Sequence, residues 1–380
     1  MDINWITLPT NFQGERCFTH ARAVITPSGF GLMTTQPLRL SGSDVFYEMH
    51  MTFTHDGGNT WSALKPSKTL LRQTLENGME IAMCDATPIY HKKTGKILLL
   101  GHYAAYRNDD LSQEPAPRHT VYSVYDEQTE DFTPFRFLEM PQTEDNRYFN
   151  AGNGSGQSLE LENGDLLIPE YHKVPKTAAD TWNGHYDSAV MRCSFDGTRL
   201  RLLELGEPLS AAHQAGYCEP SIVKFEDAYL LCLRCFNSAY VTKSKDGLHF
   251  APPKELVFDD GAAAGCYNTQ QHWITGGGKL YLVYTRKGAD NDHVFRHRAP
   301  LFIAEFDPDR MCLIRATEQI AVPNRGARLG NFGCQSLEDG KTAFVFVSEW
   351  MQTTLPDPFD WRKCMRYGSD NSIFVSKITF

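Results

Sequence analysis

Glu219 follows Tyr217-Cys218 and precedes Pro220 and an apolar run. A carboxylate in that setting is partly desolvated, which suits a general acid or base. His20, in the segment THARA with Arg22 two residues on, could act as base, acid or hydrogen-bond donor, because imidazole titrates near neutrality. Asp85 stands between Cys84 and Ala86-Thr87-Pro88, where it either reaches a site or caps a turn. Arg234 ends one apolar run and Arg298 opens another. Guanidinium forks suit a carboxylate or sulfate held in a bidentate grip. The run DHVFRHRAP around Arg298 also holds His293, Arg296 and His297. A local positive pocket in a chain of net charge −9 suits a small anionic ligand rather than a polyanion. PEYHK adds Glu170 and His172, NGHYD (183–187) adds His185 and Tyr186, and NRGARLGN adds Arg325 and Arg328.

These residues are far apart in the chain, so the elements that carry them must bring them together. One pattern recurs: an apolar run, a turn with Gly or Asp, then a second apolar run. It occurs at residues 23–33, 87–100, 158–169, 221–233, 273–284 and 336–347. Each copy reads as a β-hairpin, and six copies imply a repeat of about sixty residues. A second motif, S/T-x-D-G, is interleaved: THDGGNTW at 54–61, SKDGLHF at 244–250, and weaker copies at 123–132, 194–200 and 305–312. Its aspartates fall at 56, 126, 196, 246 and 307. The Asp accepts backbone N–H bonds across a tight turn, Gly takes the positive-φ position, and the following aromatic packs between sheets.

No convincing amphipathic helix emerges, residues 65–79 being the best short candidate. The chain is expected to be all-β: a six-bladed β-propeller of four-stranded antiparallel blades, which leaves only short, protected sheet edges. With no composition shift or linker to divide it, residues 1–380 read as a single domain. The alternative architecture is a pair of β-sandwiches. In a propeller the innermost strand of each blade starts at the mouth of a central channel. Those starts would present His20, Arg22, Asp85, Gln157, Glu219, Gln271, His272 and Asn331 to one cavity.

Composition narrows the classes. Hydrophobic residues make up 41% and charged residues 22%, enough for a sizeable core. The net charge of −9 argues against nucleic acid as a partner. No apolar run approaches the ~18 residues of a membrane span. The first ten residues carry neither a basic start nor an apolar core, so a cytoplasmic location is expected. Ten cysteines are scattered, and most are expected to be reduced and buried. Cys232 and Cys235 form a lone C-x-x-C inside a strand-like run with no second pair at zinc spacing, so no metal and no cofactor is expected.

The THDGGNTW and SKDGLHF turns are Asp boxes, and the arrangement resembles the sialidase (neuraminidase) superfamily over nearly the whole chain. Residues 153–171, 218–234, 298–307, 348–349 and 371–380 are similar, in order, to that superfamily's blade segments. In the superfamily three arginines clamp the substrate carboxylate, a Tyr paired with a Glu is the nucleophile, and an Asp is the acid/base. The resemblance implies Arg234 and Arg298 as two of the arginines, Glu219 as the Glu and Asp44 as the acid/base. At the place of the first arginine stands His20, followed by Arg22. At the place of the Tyr the sequence reads GNFG (330–333), with Asn331 or Phe332 and no nucleophile. These departures imply a relative with a changed mechanism or substrate.

The expected activity is therefore a sialidase-like glycoside hydrolase that removes a terminal acidic sugar, sialic-acid-like or uronic, from a glycan. Glu219, Asp44 and His20 would be catalytic, and Arg234, Arg298, Arg22, Asp85, His272 and Asn331 would bind substrate. A polysaccharide lyase is the first alternative: abstraction of the proton α to a uronate carboxylate calls for a His or Tyr base and a neutralising Arg, with His20, His172, His185, His272 and Tyr186 on offer. The second is a non-catalytic glycan-binding propeller. In every case the partner is a small acidic saccharide or glycan terminus.

Overall fold

The computed structural model describes residues 1–42, 44–112, 118–173, 185–211 and 216–380. Its strands fall into six sheets. Three have four strands, and the others have five, five and seven, because short strands add at their sides. Each of the six apolar–turn–apolar segments forms a hairpin in a different sheet. Representative antiparallel pairs are Ala23 with Met33, Ile89 with Leu98, Leu159 with Leu167, Ile222 with Leu231, Trp273 with Leu282 and Gln335 with Phe344.

The aspartate turns hold as their chemistry requires. Asp56 Oδ1 accepts the backbone N–H groups of Asn59 and Thr60 at 3.0 and 2.9 Å. Asp246 Oδ1 accepts those of Leu248 and His249, both at 2.9 Å. The degenerate copy at Asp126 accepts one, from Gln128 at 3.0 Å. With acceptors so well supplied with donors, the Asp56 carboxyl is held at about 2 by its Thr60 and Thr54 bonds.

The helix candidate at 65–79 is not a helix. That stretch contains the short strands Lys65–Pro66 and Gln73–Thr74. The cause is a long-range capture: Asp131 accepts the Ser67 hydroxyl at 2.6 Å and the Lys68 backbone N–H at 2.7 Å, and the Ser67 hydroxyl in turn accepts the Leu70 N–H. Side chains that claim backbone donors in this way compete directly with helix formation. The α-helix among the described residues is Trp361–Arg366.

The chain divides into two compact units. The first comprises Met1–Pro66, Asn237–Ala239 and Glu255–Phe380; the second comprises Ser67–Phe236 and Tyr240–Lys254. In the first unit the strand Asp2–Leu8 pairs with Ile373–Thr379, and that sheet is covered on both faces. Val345 and Val347 pack with Ile274, Val283, Leu301 and Ile303 on one side. Phe344 and Phe346 pack with Ala21, Ala23, Ile25 and Met33 on the other. Alternation of side chains along a strand, with burial on both faces, explains why this stretch reads as an unbroken apolar run. The second unit repeats the device, with Leu166 and Ile168 facing Leu98, Leu100 and Val124, and Leu167 facing Ile222, Leu231 and Leu233.

Candidate active site

Three hairpins carry the same irregularity. Between Thr19 and Arg22, between Cys84 and Thr87, and between Cys218 and Ser221 the register shifts by one residue. The inserted positions bear His20, Asp85 and Glu219, with φ of 57°, 52° and 46°. Ser155 in the segment Gly154-Ser155-Gly156 has φ 60°. A β-bulge re-aims a side chain, and a left-handed backbone at a non-glycine residue costs of order 1 kcal/mol or more. Repetition of that strain at three ionisable residues marks these positions as a designed feature.

In the second unit Glu219 Oε1 accepts a short hydrogen bond from Arg234, and both side chains are largely buried. Burial alone would lower the arginine's pKa, but the adjacent carboxylate more than reverses that, so Arg234 stays a cation. Arg118 lies 4.3 Å over the ring of Tyr171 and 5.7 Å from that of Tyr186, and donates to the Tyr171 carbonyl at 3.3 Å. Its Nε has no hydrogen-bond partner among the described residues. Burial pushes the Tyr171 hydroxyl well above its ordinary pKa; Arg118 opposes that rise, while Glu219 and Asp85 add to it. Tyr171 thus senses both bulge carboxylates and one guanidinium. Asp85 accepts the Ser155 hydroxyl at 2.8 Å and lies 3.3 Å from His102 Nε2. A second buried pair, Glu170 and His172, meets at 2.8 Å, and its desolvation raises the Glu170 pKa. His185 and Asp187 lie 3.2 Å apart. Asn183 and Gly184 of the NGHYD segment lie outside the described residues.

In the first unit the loop 330–333 organises two groups. Arg22, 0% exposed, donates from Nε to the Phe332 carbonyl at 3.1 Å and from NH2 to Gln270 at 3.4 Å. Gln270 also contacts His272 Nε2 at 2.8 Å. Burial and the nearby Arg22 push the His272 pKa down to about 3, so the ring is neutral. Arg298 donates to Asn331 Oδ1 at 3.3 Å and to the Asn268 carbonyl, which brings together two residues expected to bind substrate. A Cβ on Gly330 would stand 2.3 Å from Arg298 Cδ, and one on Gly333 would stand 2.9 Å from Arg22 Cγ. The two glycines of GNFG therefore let both arginines pass. Phe332, where the superfamily Tyr was sought, is fully buried with its ring edge-on to His272 at 5.0 Å.

His20 is 4% exposed, between the Phe46 ring at 5.0 Å and the Trp350 ring at 5.8 Å. Arg328 stacks over Trp350 at 3.2 Å. Asp44 occupies a left-handed turn, φ 58°, and the neighbouring Gly42 carbonyl accepts from Gln352 at 3.4 Å. The cationic run near Arg298 is used locally: His293 stacks on Tyr367, and His297 lies 3.5 Å from Asp292. Arg325 pairs with Glu349 and Asp370. The sequence reading missed Arg118, Tyr171, His102 and Trp350. His102 faces Cys84 across its hairpin, which strand register could have shown; Arg118 precedes its strand with no motif around it.

No family model matches the chain, and no curated protein matches it in sequence. Solved structures do match in shape. A protein of unknown function from Dyadobacter fermentans aligns with a TM-score of 0.68 at 14% identity, over 100% of this chain and 99% of its own. A Hadza microbial sialidase aligns at 0.64 and 12% identity, over 96% of this chain and 66% of its own. Trypanosoma rangeli sialidase, in complex with the inhibitor DANA, aligns at 0.64 and 14%, over 99% of this chain and 59% of its own. The chain thus spans less than two thirds of either sialidase. At such identity the likeness establishes the fold, a sialidase-like all-β propeller with antiparallel blades, and leaves the reaction to be argued from the site.

Proposed function

We propose that this chain is a sialidase-like glycoside hydrolase that removes a terminal acidic sugar, sialic-acid-like or uronic, from a glycan. In this reading residues 1–380 are one domain, each of the six sheets is a blade, and the aspartate turns are its Asp boxes. The observation that carries the proposal is Glu219: a bulge carboxylate bonded to buried Arg234, with Arg118 and Tyr171 beside it. Arg118, whose Nε makes no bond within the described fold, and Arg234 grip the sugar carboxylate. Glu219 takes a proton from the water that adds to the anomeric carbon as the glycosidic C–O bond breaks, a solvent water gives the departing aglycone oxygen its proton, and the Tyr171 hydroxyl orients the sugar.

One observation favours a second reading. An arginine stacked on two tyrosines also suits abstraction of the proton α to a uronate carboxylate, with Tyr186 as base. Release of sugar from sialylated and uronate-capped glycans, followed chromatographically with absorbance for a new C=C bond, separates the two. Hydrolysis without that absorbance is expected, with Glu219→Gln slower by about a hundredfold or more. Equal rates in the folded Glu219→Gln and wild-type proteins would refute the assignment.

A further inference from the structure

Among the described residues, one group of His, Cys and carboxylate side chains has its donor atoms gathered for a single ion. Cys84, Asp85 and His102 place these atoms within 4.8 Å of one another. We propose that these three residues bind a zinc-type divalent cation.

The backbone explains how three donors meet. Cys84 and His102 are direct partners across the antiparallel pair Glu80–His91 and Lys96–Arg107, so their side chains share a face. The residue after Cys84 would ordinarily point to the other face. Asp85 is the extra residue of the bulge, and its left-handed φ of 52° swings the carboxylate back toward His102. A cross-strand pair becomes a three-donor set.

The spacing fits an ion better than it fits a direct contact. Oxygen and nitrogen ligands at ~2.0–2.1 Å from a tetrahedral zinc stand about 3.3 Å apart. Asp85 Oδ2 and His102 Nε2 are 3.3 Å apart. A charge-assisted hydrogen bond between them would be nearer ~2.7–2.9 Å. The other Asp85 oxygen accepts the Ser155 hydroxyl at 2.8 Å, and the Ser155 N–H donates to the Asp85 carbonyl at 2.9 Å. Outer bonds of this kind orient a ligating carboxylate.

The fold also builds the seat of the histidine. His102 is 6% exposed, and its Nδ1 is buried with no hydrogen-bond partner among the described residues. A Cβ at position 154 would lie 1.8 Å from that nitrogen, so the ring is seated only because residue 154 is glycine. That seat turns the other ring nitrogen, Nε2, toward Asp85 Oδ2 and so toward the place of the ion. Thiolate and carboxylate together neutralise a dication, so the nearby Arg118, which senses the Asp85 charge, is not repelled. Three protein donors leave the fourth tetrahedral position open to water or a sugar oxygen. The metal site does not depend on the hydrolase reading.

The test is titration of the chelator-treated full chain with Co²⁺, then competition with Zn²⁺. One equivalent of Co²⁺ is expected to give tetrahedral visible bands and a thiolate-to-cobalt absorption, both lost on adding Zn²⁺. Cys84→Ser should abolish the thiolate band, and His102→Gln should weaken binding by tenfold or more. Circular dichroism checks each variant's fold; should His102→Gln misfold, Asp85→Asn replaces it, since the amide oxygen can still accept from Ser155. Failure of the wild type to bind one equivalent, a thiolate band that survives Cys84→Ser, or unchanged affinity in the folded ligand variant overturns the site.

Discussion

Replacing Glu349 with Gln should change how stability depends on pH. Glu349 is 1% exposed, with Arg325 Nε 3.2 Å from Oε1 and the Asp370 and Ser372 N–H groups donating to Oε2 at 3.0 and 3.1 Å. Burial dominates these partners and raises its pKa from 4.5 to about 7. Between those values the folded protein holds a proton that the unfolded chain has released, so stability falls as pH rises through the window. The shift corresponds to about 3 kcal/mol. His272 acts in the opposite sense. Its pKa is lowered to about 3, so the unfolded chain binds a proton below its usual 6.5 that the folded one refuses, and stability falls as pH falls. In the wild type the two partly cancel. Glu349→Gln removes one and leaves the other. Urea unfolding at intervals from pH 4.5 to 7.5 should show the variant gaining on the wild type by about 3 kcal/mol across the range. Parallel stability curves for the two proteins would refute the reasoning.

Other consequences are as direct. Gly330→Ala sets a Cβ where Arg298 Cδ stands 2.3 Å away, and should cost about 1–3 kcal/mol by thermal denaturation. Phe332→Tyr should destabilise the fold without adding activity. Its hydroxyl would enter the fully buried packing beside His272, so the expected result is a stability loss of about 1–3 kcal/mol with no gain in sugar release. Phe344→Ala should cost about 3–5 kcal/mol in urea unfolding, since the ring is fully buried between two sheets.

The strands were legible because their chemistry is local. A run such as Thr342–Ser348, bounded by a DG turn, has one reasonable conformation, and the six hairpins formed where their turns indicated. The false helix signal at 65–79 shows the limit: Asp131, more than fifty residues away, decides that conformation, and no window of sequence contains it. The site divides similarly. Glu219 with Arg234, and Arg298 with Asn331, were recognisable as residue types at strand ends and do touch. Arg118 and Tyr171 were not, because a stacked guanidinium has no spacing to betray it. Arg22 looked available and proves wholly enclosed, since whether a guanidinium faces solvent or a carbonyl depends on which glycine the facing loop presents.

The three bulges hold His20, Asp85 and Glu219 in one backbone conformation. An imidazole and two lengths of carboxylate arm thus occupy equivalent positions that no ladder partner constrains. Because the inserted residue stands outside the alternation of the sheet, its identity can change without shifting the register on either side of it. A scaffold with such sockets can vary its chemistry sheet by sheet while the ladders around them stay in register.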